Sequence, residues 1–150
     1  MAWFGIGKKT AQARAAMGKL ENRDLMQAIV YGSVYVAAAD GELSVAELDK
    51  IEMILGNTPQ LQGYGAELSN LMDRAKKDFA ISMRVLRQNA EKELGDLQHS
   101  PNDALTVLNI MLTIAESGPK VEGEDPIDKS EMAALERAAK LLGLNLKDHL

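Results

Sequence analysis

Two stretches of this chain are apolar on every side when wound as helices, and that constrains the fold more than any other feature. Leu25 to Ala39 carries Leu25, Met26, Ile29, Val30, Val34 and Val36, and the stretch opening at Ser100-Pro101 carries Leu105, Val107, Leu108, Ile110, Met111, Leu112 and Ile114. A helix with no polar face has to be surrounded by other elements, so both belong at the centre of a helical bundle. Neither approaches the roughly 18 apolar residues of a membrane span. The surrounding segments supply what such a core needs: single apolar stripes at helical spacing, as in Leu48, Ile51, Ile54 and Leu55, or Met132, Leu135, Ala138, Leu141 and Leu142. Only 6 of the 150 residues are aromatic, and no stretch alternates like a strand.

Helix ends are marked by their own chemistry. Asn22 or Asp24 can open the first apolar helix, and Gly41 closes it. Ser44 and Glu47 form a capping box for the next helix, and Gly56-Asn57 ends that one. Thr58-Pro59 starts a further turn, Leu61 to Asp73 reads as one or two short helices, and a long helix is expected from about Asp78 to Leu97. Between them, Arg74, Lys76 and Lys77 beside Asp73 and Asp78 read as a solvated turn. Asp128 with Glu131 repeats the capping box before the last helix, and Gly143 stands at its C′ position. With a helix from about Thr10, the expectation is an all-α, compact bundle of about seven helices forming a single domain, residues 1–150, with residues 1–9 as a flexible arm.

The chain has no cysteine, which excludes disulfides, thiolate catalysis and zinc knuckles. Its net charge of −5 is unevenly placed. Glu116 to Glu136 holds seven acids and two bases, Val36 to Glu52 five acids and one base, and the first 23 residues five bases and one acid. A nucleic-acid binder carries a dominant basic face, so no nucleic acid is expected as partner. The N-terminus lacks the apolar core of a signal peptide, and the expected location is the cytoplasm. Trp3 and Phe4 beside Lys8 and Lys9 have two readings: an arm for a membrane surface or partner, or a terminal helix packed on the core. Gly5-Ile6-Gly7-Lys8-Lys9-Thr10 is no phosphate loop, because its first glycine and the Ser/Thr are missing and no strand precedes it.

The two acidic stretches sit at matching places. With an offset of 84, Ser44 falls on Asp128, Glu47 on Glu131, Leu48 on Met132 and Ile51 on Leu135, which suggests an internal pseudo-repeat. A second alignment sets Ala39-Asp40-Gly41 on Glu116-Ser117-Gly118 and leaves an insertion before Ile127. Carboxylates crowded into loops suit hard divalent cations. Asp40 to Glu47 matches the back half of an EF-hand loop, but Val36 and Ala38 occupy the first two ligand positions, so a cation needs donors from the second loop. The same residues are equally satisfactory as caps, since acids belong near helix N-termini.

Ala38-Ala39-Asp40-Gly41-Glu42-Leu43-Ser44-x-x-Glu47, the weaker copy ending Ile127-Asp128-Lys129-Ser130-Glu131, and Leu141-Leu142-Gly143-Leu144 resemble the TerB-like tellurite-resistance family across nearly the whole chain. The resemblance implies a bundle of about seven helices built from a pseudo-repeat. It also implies an acidic divalent-metal site near the paired loops, in proteins tied to tellurite, phage and chemical-stress response. It places the family's aspartate and glutamates on Asp40, Glu47 and Glu131. The second copy departs from the pattern: Asp-Gly is missing and Pro119 to Pro126 enlarges the loop.

Candidate ligands are therefore Asp40 and Glu47, then Asp125, Asp128 and Glu131, with Glu122 and Glu124 beside them. Ca²⁺ is expected ahead of Mg²⁺ or Mn²⁺. No catalytic residue is expected: His99 and His149 are the only histidines, Asp96-x-x-His99 has no second copy, and the chain offers no aromatic platform for sugars. The methionines, among them Met26, Met53, Met72, Met83, Met111 and Met132, read as gap-filling core rather than a binding groove. The expected function is non-enzymatic: a cation-binding, stress-associated domain acting through a protein partner. The alternatives are a metal-free interaction module using the acidic loops, and a peripheral membrane protein docked by Trp3, Phe4, Lys8 and Lys9.

Overall fold

In the computed structural model, residues 23–118 and 127–150 are described, and they contain helices and no strand. Residues 23–37 form α1. They are followed by α2 (Val45–Gly56), a 3₁₀ turn at Pro59–Leu61, α3 (Gly65–Ile81), α4 (Met83–Gly95), α5 (Pro101–Glu116), α6 (Lys129–Leu141) and a final 3₁₀ turn at Leu146–His149. The all-α reading holds, with six α-helices among the described residues. The expected helix from Thr10, the arm, and Trp3, Phe4, Lys8, Lys9, Glu122, Glu124 and Asp125 lie outside them.

α1 is buried on every side from Ala28 to Val36, as its lack of a polar face requires, whereas α5 differs from expectation: it is largely buried but keeps a narrow exposed polar row at Asn102, Asn109, Thr113 and Glu116. Ile29, Val30, Val34 and Val36 of α1 have no exposed surface, nor do Val107, Leu108 and Met111 of α5. Close approach between them depends on Gly32: a Cβ there would sit 2.9 Å from the Met111 sulfur and 3.4 Å from a Leu94 methyl. The remaining helices present one stripe each, Ile51 and Leu55 from α2, Leu86, Ala90 and Leu94 from α4, and Ala134, Leu135, Ala138 and Ala139 from α6. α3 packs on α4, α4 and α5 on α6, and α2 on α5.

Ends form largely where expected. Gly41 takes φ 88°, a left-handed conformation that stops the chain continuing as helix after α1. α6 closes with paired bonds from Gly143 N–H to the Lys140 carbonyl (3.2 Å) and from Leu144 N–H to that of Ala139 (2.8 Å), the Schellman pattern. Thr58 and Ser100 stand at N-cap positions without a side-chain cap bond, and the Thr58 hydroxyl instead donates back to the Ile54 carbonyl at 2.9 Å.

The segment between 61 and 97 differs from expectation. The long helix expected over 78–97 is divided at Ser82, whose backbone is extended (φ −171°, ψ 154°) and whose hydroxyl accepts the Val85 N–H at 3.1 Å. Helix α3 runs through the charged stretch read as a turn. Leu68, Leu71, Met72 and Ala75 form its buried stripe, while Asp73, Arg74 and Lys77 face solvent on its outer side. Lys76 bridges to Glu52 of α2 and to Asp73, each at 3.9 Å. The methionines divide too: Met26, Met72 and Met111 are core, whereas Met53 is 67% exposed.

Candidate functional site

Both capping boxes form. Ser44 accepts the Glu47 N–H at 3.1 Å, and Glu47 Oε1 accepts the Ser44 hydroxyl at 3.0 Å and its N–H at 3.3 Å. At α6, Asp128 Oδ1 accepts the Glu131 N–H at 2.7 Å and Glu131 Oε1 accepts the Asp128 N–H at 3.4 Å. In the loop ahead of α2, Asp40 Oδ1 accepts the Glu42 N–H at 2.9 Å, a local turn that keeps its carboxylate exposed. One oxygen each of Asp40, Glu47, Asp128 and Glu131 is thus engaged by its own loop.

The Glu131 carboxyl is perturbed. Burial pushes the Glu131 carboxyl up to about 7, and the negative charges of Asp128 and, across the bundle, Asp40 act in the same direction. Asp128's backbone N–H pulls the other way without compensating. For Asp40 to act on Glu131, the turn after α1 and the first turn of α6 must lie on the same side of the molecule. Their placement follows from the packing of α1, α5 and α6, which local sequence signals do not encode.

The second loop leaves α5 next to α2. Lys50 of α2 donates from its ammonium to the Ser117 carbonyl at the end of α5, where helix carbonyls lack partners within the helix. Among the described residues, no group of three or more His, Asp or Glu is arranged to hold a metal ion. Glu122, Glu124 and Asp125 belong to the segment outside the description. His99 is exposed in the turn after α4, and His149 half-buried in the last 3₁₀ turn.

A second polar cluster escaped the motif reading. Asp78 Oδ2 accepts the Tyr31 hydroxyl at 2.7 Å and the Asn89 side-chain N–H at 2.8 Å, joining α1, α3 and α4 at one carboxylate. Burial, reinforced by that hydrogen bond, pushes the Tyr31 phenol up to about 12. Its sequence signal was Tyr31 itself: a tyrosine inside an otherwise apolar helix needs a partner for its hydroxyl. The cluster ties three helices of the bundle together.

Among the described residues, no helix is long and apolar enough to cross a membrane. No curated protein and no solved structure gives a significant match to the chain. The family model described as Tellurite resistance protein TerB matches residues 26–149, which run from the first central helix to the last 3₁₀ turn and include both capping boxes. This chain therefore belongs to the TerB tellurite-resistance family.

Proposed function

We propose that the chain is a non-enzymatic TerB domain that takes a divalent cation at the acidic confluence of its two loops and acts through a protein partner in the cytoplasmic response to tellurite and related stress. The observation that carries this reading is the Glu131 carboxyl, held up to about 7 by burial and by like charges from Asp128 and Asp40. A capping box alone needs no third carboxylate from another part of the chain. A carboxyl raised mainly by burial, with like charges acting in the same direction, supports a candidate functional site, because a bound cation would relieve that repulsion. The recurrence of the box at an offset of 84 supports a pseudo-repeat that contributes one half-site from each copy. Asp40 and Glu47 supply the first half, Asp128 and Glu131 the second, and Asp125, Glu124 and Glu122 the donors that complete it. Ca²⁺ suits an irregular, oxygen-rich site better than Mg²⁺, which demands an ideal octahedron.

A metal-free interaction module is the second reading, favoured by the absence of a three-carboxylate group among the described residues. Thermal melting separates the two. With about 5–10 mM Ca²⁺, many times the dissociation constant of a weak site, the wild type should melt higher than in chelator, by linkage. Asp40→Asn with Glu131→Gln should abolish that increment. Identical melting with and without Ca²⁺, Mg²⁺ or Mn²⁺ would establish the metal-free module.

A further inference from the structure

Two tyrosines of α1 stand four residues apart and so lie on one side of that helix, yet their hydroxyls are treated differently. Tyr31 donates to Asp78 at 2.7 Å. Tyr35 is only 6% exposed, and its hydroxyl has no hydrogen-bond partner among the described residues. The fully covered side-chain polar atom left without a partner among those residues is Ser33 Oγ. The Tyr35 hydroxyl therefore still reaches solvent, at the end of a side chain otherwise packed in the core. A buried tyrosine usually finds a partner for its hydroxyl, and here the chain supplies none.

The groups around this hydroxyl are charged. Arg137 of α6 donates to Glu91 of α4, from Nε to Oε1 at 3.4 Å and from Nη2 to Oε2 at 3.5 Å. Both bonds are long, and the Arg137 side chain is 46% exposed, so another anion can compete for it. Arg87 lies one turn before Glu91 on the same face of α4. It is exposed and has no ion pair among the described residues. All three charges act on the Tyr35 phenol: burial and Glu91 push its pKa up, and Arg87 and Arg137 pull it down. The net direction is upward, which keeps the hydroxyl protonated and able to donate at neutral pH.

Two guanidinium groups against one carboxylate leave a positive charge beside a phenolic donor with nothing to donate to. We propose that Tyr35, Arg87 and Arg137 form a subsite for a small oxyanion of the phosphate type where α4 meets α6. The Tyr35 hydroxyl donates to one anion oxygen, Arg87 supplies the uncompensated charge, and Arg137 is shared between the anion and Glu91. Guanidinium groups suit such an anion because their planar N–H donors match its oxygens. Glu91 is the internal competitor and keeps the binding weak and exchangeable. The subsite uses no residue of the acidic loops and needs no metal.

Titration of the full chain with inorganic phosphate, in chelator and against sodium chloride of equal ionic strength, tests the assignment. NMR should show saturable shifts centred on the Tyr35 ring and the Arg87 and Arg137 side chains. Tyr35→Phe and Arg87→Gln should each weaken binding about tenfold, as for loss of one charge-assisted hydrogen bond, and Glu91→Gln should tighten it. Tyr35→Phe removes a hydroxyl that the chain does not use, and Arg87 is exposed, so melting without phosphate should be unchanged in both; if Tyr35→Phe does not fold, the Arg87 and Glu91 variants carry the test. Shifts no larger than chloride produces, binding equal to wild type in Tyr35→Phe and Arg87→Gln, or weaker binding in Glu91→Gln would overturn the subsite.

Discussion

Glu131 shows how one residue serves a local need and a distant one at once. Its Oε1 completes a capping box, and its carboxyl is lifted to about 7 by burial together with the charges of Asp128 and Asp40. A carboxyl whose folded value lies above its unfolded value of 4.5 stabilises the fold fully below that lower value and loses this contribution as pH rises through about 7. Glu131→Gln keeps an acceptor for the Asp128 N–H and removes the titration. In chelator, denaturation should find variant and wild type equally stable near pH 4.5, and the variant more stable at pH 8 by on the order of 1 kcal/mol after allowance for solvent screening. A constant difference across that range would show that the fold does not raise this carboxyl. Glu131's place in a capping box was legible from Asp128 three residues before it; the action of Asp40's charge on it was not, because the two stand 91 positions apart.

At the scale of elements, hydroxyl residues at helix starts are not equivalent. Ser82 binds the Val85 N–H, while Ser100 makes no such bond and leaves its helix to the Pro101 that follows. Ser82→Ala should cost about 1 kcal/mol and Ser100→Ala no more than about 0.5, both measurable by urea denaturation; equal costs would contradict the cap assignment. The Ser82 break was hidden in the sequence because Phe79, Met83, Leu86, Ala90 and Leu94 keep helical spacing straight through it. The charged run at Arg74–Lys77 misled in the other direction: it interrupts the apolar residues without interrupting the helix, since Ala75 suffices to continue the buried stripe. The two capping boxes, by contrast, were readable because they are made of residues three apart.

Across the whole molecule, stability is concentrated in α1 and α5. Leu108→Ala empties a site with no exposed surface and should cost about 2–5 kcal/mol, whereas Ile81→Ala, at a position 72% exposed, should stay within about 0.5. Comparable losses from the two would mean that the apolar helices are not the core. Composition and periodicity by themselves determined that this chain is helical, that two of its helices are central, where most helices start and stop, and which acids sit at helix starts. Those properties depend on side-chain shape and on hydrogen bonds between residues a few positions apart, so they are written locally. The tertiary structure decided the rest: the division at Ser82, the Tyr31–Asp78–Asn89 cluster, Lys50 against the end of α5, and the charge of Asp40 acting on Glu131. Each joins residues distant in sequence, or depends on which faces the packed helices leave free, and that is settled only when the apolar surfaces close on one another.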